Sequence, residues 1–117
     1  MSDTLVVFAE PLIEVLADPA DLESCRGALT LASLVWNGLT LLEREGEEAE
    51  SLGAETIEQV ENTLIDLGLA KDEVADLIDA LAERKETLFP DEIRLIIGVD
   101  AQRRGDRMFV HAASTYE

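Results

Sequence analysis

Few residues in this sequence have the types and spacing that catalysis requires. His111 is the only histidine and Cys25 the only cysteine among the 117 residues, which excludes a histidine-metal cluster, a two-histidine dyad and an internal disulfide. A nucleophile pair of Cys25 and His111 would need a core position of a helix to meet the outer face of a hairpin. We therefore interpret Cys25 as a buried thiol and His111 as a surface side chain.

Clusters of carboxylates are frequent, but none has the spacing of a metal site. The densest cluster comprises Glu43, Glu45, Glu47, Glu48 and Glu50. A calcium loop needs alternating oxygen ligands, a glycine and a closing glutamate, and this stretch lacks that pattern, so we expect a solvated loop. A second set of carboxylates lies on predicted helices and comprises Glu58, Glu61, Asp72, Asp76 and Asp79. Carboxylate metal centres in helical bundles usually add Glu-x-x-His motifs, which are absent here.

The sequence also lacks the common motifs of enzymes. No phosphate-binding glycine loop, nucleotide-binding fingerprint, nucleophile elbow or zinc-ligand spacing occurs in the chain. We therefore predict no catalytic residue, no metal and no cofactor, and an enzyme or a metal-carboxylate site ranks third among the functions considered.

The charge is concentrated in one part of the chain. The formal net charge is −17, of which residues 1–90, with 21 acidic and five basic residues, carry −16. Residues 91–117 carry five acidic and four basic residues, a net of −1. Nucleic acids and anionic lipids are bound through clusters of Lys and Arg, so we expect neither direct nucleic-acid binding nor membrane binding.

The hydropathy pattern predicts one folded domain. Hydrophobic residues make up 47% of the chain, which is ordinary for a globular protein. The longest uncharged stretch, residues 27–42, contains four polar residues and is shorter than the ~20 apolar residues of a spanning helix, so we interpret it as a buried helix. The N-terminal residues lack the positively charged start of a secretion signal, and a single thiol fits a reducing compartment. We expect a cytoplasmic protein.

The predicted fold class is α+β and mainly helical, with about four helices in residues 1–90 and a hairpin in residues 91–117. Residues 4–17 favour a helix, with a strand at 4–8 followed by a helix from Pro11 as the alternative. Asp18 and Pro19 form an N-cap and first-turn pair that begins the next helix. Its apolar seam comprises Leu22, Cys25, Leu29, Ala32, Trp36 and Leu39. The run 43–53 ends this helix.

Two further helices and a hairpin complete the prediction. Residues 54–68 and 71–88 form a helical hairpin in which Gly68 is the left-handed cap, and Pro90 closes the helical part. Arg84 and Lys85 lie near the end of the second of these helices, where the helix dipole favours cations. After Pro90 the apolar period becomes two, which predicts strands at 93–101 and 107–113. A turn centred on Arg104 and Gly105 gives an apolar face that should pack on the helices and comprises Leu95, Ile97, Val99, Ala101, Met108, Val110 and Ala112. The opposite face then carries Arg94, Ile96, Gly98, Asp100, Arg107, Phe109, His111 and Ala113.

The hairpin offers the best candidate for a contact surface. Ile96 and Phe109 would be exposed on its outer face, and its strands would have free edges. The turn region carries the basic residues Arg103, Arg104 and Arg107, which are either solvated or contact an acidic surface, such as a carboxylate ligand or a second copy. The predicted interaction surface comprises Ile96, Phe109, His111, Arg103, Arg104 and Arg107.

Two functional hypotheses follow from these features. The first is a small intracellular interaction or structural module that acts as a homodimer or binds another protein. The alternative is an acidic mimic of nucleic acid that inhibits a DNA-binding protein, with helical carboxylates in place of phosphates. Adaptation to high salt is a competing explanation of the acidity alone.

Overall fold

Four α-helices and a C-terminal β-hairpin follow one another along the part of the chain that the computed structural model describes: residues 2–16, 21–44, 46–92, 94–105 and 107–115. The helices are α1 (Ser2–Leu16), α2 (Leu22–Glu43), α3 (Glu47–Asp66) and α4 (Lys71–Leu88). The strands β1 (Ile96–Arg104) and β2 (Arg107–Ser114) pair antiparallel. The predicted fold class, mainly helical with a C-terminal hairpin, is confirmed.

Helix α1 continues through Pro11, and a residue of α4 compensates for the missing backbone donor. Proline has no N–H to donate to the carbonyl four residues earlier, which is that of Val7. Arg84 of α4 donates to this carbonyl instead, with 2.6 Å between Nε and the oxygen, and its Nη2 lies 2.9 Å from Glu10. The alternative of a strand at residues 4–8 is therefore wrong, and the proline ties α1 to α4.

The long helix α2 supplies the centre of the molecule. Its N-cap is Asp21, whose carboxylate accepts a hydrogen bond from the backbone N–H of Glu23 at 3.1 Å. The start predicted at Asp18 and Pro19 lies outside the described residues. Most of the predicted seam is buried, namely Cys25, Leu29, Ala32 and Trp36. The helical period of the sequence thus identified the core side of this helix.

Helix α3 begins earlier than predicted. The sequence interpretation placed a solvated loop over residues 43–53, but α3 starts at Glu47. Gly46 is the N-cap with a φ of +117°, and the first turn contains Glu47, Glu48 and Glu50. Carboxylates in this position interact favourably with the positive end of the helix dipole. At the other end, the predicted cap at Gly68 is confirmed by a φ of +108°.

Gly53 lies inside α3 because two helices approach closely there. A Cβ atom on Gly53 would lie 2.7 Å from the carbonyl oxygen of Gly38 in α2 and 3.0 Å from the backbone nitrogen of Leu42. A Cβ atom on Gly38 would lie 2.7 Å from a side-chain carbon of Ile57. The glycine pair therefore brings the backbones of α2 and α3 together.

One hydrophobic core joins all six elements. Trp36 is fully buried near its centre. The ring of Phe8, from α1, meets the indole edge to face with centroids 5.1 Å apart, and Phe89, which caps α4, does so at 5.8 Å. Edge-to-face contacts of this kind add to the stabilisation from burial itself. Trp36 consequently joins α2 to both the first and the last helix.

The hairpin forms as predicted, but its strands pair in a different register. Val99 lies opposite Ala112, whereas the prediction paired it with Val110. The turn accordingly moves one residue along the chain, and Gly105 has the predicted positive φ, at +63°. A register change of two residues leaves side chains on their predicted faces, because side chains alternate with a period of two. Ala101 and Ala112 are buried on the core face as expected.

A β-bulge near the start of β1 places two residues on the faces opposite to those predicted. The register changes between Ile96 and Gly98, so that an extra residue interrupts the alternation of side chains. Ile96 is 5% exposed and Ile97 is 70% exposed. The predicted exposure of Ile96 and the predicted burial of Ile97 are both wrong, because the prediction assumed an unbroken strand.

The close contact of α2 and α3 can be tested with two glycine-to-alanine substitutions. Gly53→Ala places a methyl group against backbone atoms, and overpacking of this kind costs about 1–3 kcal/mol, so we expect a net loss of stability. Gly27→Ala, on the exposed side of α2 with nothing within 4 Å of the new Cβ, should stabilise by about 0.5–1 kcal/mol through helix propensity. Urea unfolding of both variants measures the difference. Equal stabilisation by the two substitutions would contradict the close contact.

Candidate interaction surfaces

The start of the hairpin is fixed by two consecutive side chains of α2. The indole N–H of Trp36 donates to the carbonyl of Arg94 at 2.8 Å. The Asn37 amide donates to the carbonyl of Ile96 at 2.8 Å and accepts from its N–H at 2.7 Å. This pair of hydrogen bonds is the one that a neighbouring strand would make with Ile96. Asn37 therefore takes the place of a strand at the bulge, and this contact accounts for the burial of Ile96.

Lys85 lies in the core beside these contacts, at 1% exposure. Its ammonium is 4.8 Å from the centre of the Trp36 ring, 3.1 Å from a carboxylate oxygen of Glu43 and 3.3 Å from the carbonyl oxygen of Glu92. A buried ammonium needs such an opposite charge, acceptor and aromatic face. Sequence interpretation assigned Lys85 only to the favourable end of the helix dipole. The helical spacing could have indicated that Lys85 is buried, since Lys85 follows the core residue Leu81 by one helical turn.

The segment between α4 and β1 is stiffened by a second ion pair. Arg94 donates to both carboxylate oxygens of Glu92 at 2.8 Å, through Nε and Nη2. These side-chain hydrogen bonds outweigh the effect of partial burial and hold the pKa of the Glu92 carboxyl below its ordinary value. The backbone carbonyls of the same two residues accept from Lys85 and Trp36. Side chain and backbone thus fix this segment together.

Side chains from the helices also bond the outer edges of the hairpin. Arg26 of α2 donates to the carbonyl of Ala101 in β1 at 2.9 Å. On the other strand, the N–H of Ala112 donates to the hydroxyl of Ser2 at 2.9 Å. With Asn37 at the bulge, both strands have helical partners along their edges. Pairing of a second copy along either edge would have to break these hydrogen bonds, so the outer face is the better candidate for contact.

The outer face of the hairpin carries two of the predicted surface residues. Phe109 is 50% exposed and His111 is exposed, as predicted. They line a hollow with Asp100 and Gln102 of the opposite strand. The backbone of Arg103, Arg104 and Arg107 lies at the ends of the two strands, and their side chains are outside the described part of the structure. Ile96, the remaining predicted surface residue, faces the core.

Helix α1 extends this surface beyond the hairpin. Val6 and Val7 are 37% and 41% exposed. They line a hollow of about 510 Å³ together with Asp3 of the same helix and with Phe109 and Val110 of β2. We name Val6, Val7, Phe109 and Val110 the α1–β2 patch. The sequence signal for its helical half was the position of two valines off the buried stripe of Leu5, Phe8 and Leu12.

The described residues contain no group of three or more His, Cys, Asp or Glu side chains arranged to hold a metal ion. Cys25 is buried, as predicted, at 4% exposure in α2. Within the same residues, no helix combines the length and apolar character needed to cross a bilayer.

Comparison with models of known families, with curated proteins and with solved structures gives no match.

The Glu92–Arg94 pair can be tested by the pH dependence of stability. Because the pKa of Glu92 is lower in the folded state, its charge stabilises the fold above the unfolded-state pKa, and this contribution is lost as pH falls through the folded-state pKa. We expect Glu92→Gln to lower the free energy of unfolding at neutral pH. The difference from the wild type should shrink as pH falls below the ordinary value of 4.5.

Urea unfolding at a series of pH values measures this difference. Glu58→Gln is the matched control, because it removes the same charge from an exposed position on α3. If both variants followed the wild type in parallel at every pH, the stabilising role of the Glu92–Arg94 pair would be refuted.

Proposed function

We propose that this chain is a protein-protein interaction module that forms a homodimer through the α1–β2 patch. The observation that carries the proposal is the continuity of exposed apolar surface from helix to strand. Phe109 is 50% exposed beside Val6 and Val7, which are exposed in turn. Aromatic side chains at the centre of an apolar patch are enriched among the residues that dominate binding energy. Burial of this patch would remove apolar surface of two elements from water at once.

The distribution of charge favours a second copy as the occupant of this patch. Residues 47–88, which contain α3 and α4, hold 13 acidic and three basic residues, a net of −10, whereas residues 91–117 have a net charge of −1. Two copies meeting through α3 and α4 would bring like charges together, which is unfavourable. Self-association is therefore least opposed where the hairpin contributes the surface.

A two-fold arrangement fits the composition of the patch. In a two-fold interface the same residues of each copy meet, so Phe109 of each copy can pack on Val6 and Val7 of the other. The arginines at positions 103, 104 and 107 belong to the same hairpin. Contact of these arginines with carboxylates of the second copy would be favourable, because guanidinium groups pair well with carboxylates.

Light scattering coupled to size-exclusion chromatography at micromolar concentration tests the proposal. The wild type should have twice the mass of one chain, and Phe109→Asp should have the mass of one chain, because a carboxylate buried against valines has no partner. Ile97→Asp is the matched control, since Ile97 is 70% exposed on the same hairpin outside the patch, and it should remain dimeric. A monomeric wild type, or a Phe109→Asp variant as dimeric as the control, would refute the proposal.

A second candidate function, mimicry of nucleic acid, is favoured by two basic side chains that point into the fold. Arg84 bonds Val7 and Glu10 of α1, and Lys85 is buried against Trp36. Two of the three basic residues of α3 and α4 therefore point into the fold, while their carboxylates remain largely exposed. An exposed array of like charge of this kind attracts a basic groove.

Competition with DNA tests this second function. The immobilised chain should retain DNA-binding proteins, and short duplex DNA added to the column should release them, because both ligands would occupy one basic groove. At higher salt, less duplex DNA should be needed to release the bound proteins, because salt weakens their electrostatic attraction to the chain. Retained proteins that duplex DNA does not displace would contradict mimicry.

A further inference from the structure

A groove lies between α1 and α4, and its lining shares no residue with the α1–β2 patch. Two hollows, each of about 330 Å³, share Ala80 of α4 and so form one continuous depression. Its apolar lining comprises Pro11, Val15, Leu69, Leu77, Ala80 and Leu88. We name this depression the α1–α4 groove.

Large apolar side chains stand exposed along the groove. Val15 of α1 is 54% exposed and Leu88 at the end of α4 is 48% exposed. Between them, the small exposed side chain of Ala80 lines both hollows. Exposed apolar surface between two helices is a feature of binding grooves for helical segments.

The charged residues that line the groove have mainly one sign. Glu73, Asp76 and Glu83 of α4 line it and are exposed. The basic residue in the lining, Arg84, already bonds Val7 and Glu10 of α1. The groove therefore combines an apolar floor with an acidic rim. This combination disfavours an anionic ligand, such as a fatty acid or an acidic peptide, and favours a partner that is apolar on one side and basic on the other.

The length of the groove fits a short helix. From Glu73 to Leu88 an α-helix rises about 22 Å, so a partner helix of about 14 residues can lie along it. Such a helix would place residues at positions i, i+3, i+4 and i+7 on the floor and basic residues toward the rim.

A second copy of the chain cannot supply this helix from its described elements. Each of the four helices has a net negative charge: −3 for α1, −1 for α2, −7 for α3 and −3 for α4. A helix of this kind placed on the acidic rim would be repelled. A helical occupant must therefore come from another protein.

From these observations we propose that the α1–α4 groove binds a basic amphipathic helix of a partner protein. The apolar floor supplies the area that is buried, and the acidic rim selects the sign of the partner's charge. The proposal can be tested separately from the homodimer, because none of the residues of the α1–β2 patch lines the groove.

A synthetic peptide of about 14 residues provides the probe, with leucines at positions i, i+3, i+4 and i+7 and lysines elsewhere. Isothermal titration at near-physiological salt should show saturable binding of one peptide per chain. A peptide of the same composition in scrambled order keeps the charge but loses the apolar face, and it should bind at least about tenfold more weakly. A peptide with glutamate in place of lysine should not bind.

Two substitutions on α4 locate the site. Ala80→Arg fills the floor shared by the two hollows and adds a positive charge, so it should weaken binding by about tenfold or more. Ala75→Arg is the matched control, because it makes the same change at an exposed position of the same helix outside the groove. It should leave the affinity within about threefold of the wild type. Circular dichroism melting of both variants verifies that the fold is retained.

Three results would overturn the proposal. The first is the absence of saturable binding. The second is equal binding of the ordered and scrambled peptides, which would show attraction by net charge alone. The third is an equal effect of Ala80→Arg and Ala75→Arg, which would place the bound peptide elsewhere on the chain.

Discussion

The rest of the structure depends on the hydrogen-bonding and packing requirements of one indole. The Trp36 ring is fully buried, so its N–H needs an acceptor within the protein, and the carbonyl of Arg94 provides it at 2.8 Å. Phe8 and Phe89 make edge-to-face contacts with the indole, and the Lys85 ammonium lies 4.8 Å from the centre of the ring. One side chain of α2 thus determines where α1 lies, where α4 ends and where the chain passes toward the hairpin. The contacts of Trp36 therefore also determine the positions of the helices and strands that form the proposed binding surfaces.

The path of the chain past Trp36 also determines the hairpin's faces. Once Arg94 is held by the indole, Ile96 lies beside the next residue of α2, and the Asn37 amide bonds both of its backbone groups. That contact and the bulge that follows turn Ile96 inward and Ile97 outward. Downstream of the bulge the alternation returns to the predicted one. Phe109 therefore remains on the outer face, although the register differs from the predicted one.

Structural features that depend on a short segment were predictable from the sequence, whereas features that depend on tertiary contacts were not. The seam of α2 and the cap at Gly68 were predictable, because periodicity and left-handed glycine are properties of short segments. The position of Gly53 inside a helix was not predictable, because a glycine after an acidic run suits a loop equally well. Only the contact with α2 distinguishes the helix from the loop. Ile96 was misplaced because a bulge depends on a partner 59 residues away. The burial of Lys85 lay within reach, since one helical turn separates it from Leu81, but a charged residue is ordinarily assigned to the surface.

Helix α1 connects the two proposed binding surfaces, and their difference in charge follows from its neighbours. Helix α1 contacts both the hairpin, whose part of the chain is nearly neutral, and α4, whose acidic residues line the groove. Apolar burial drives association at either surface without selecting a partner, because it is non-directional. Selection must then come from charge. The same helix can therefore present valines to a second copy and Val15 to a basic partner, and the inward turn of Arg84 toward α1 keeps the second surface acidic.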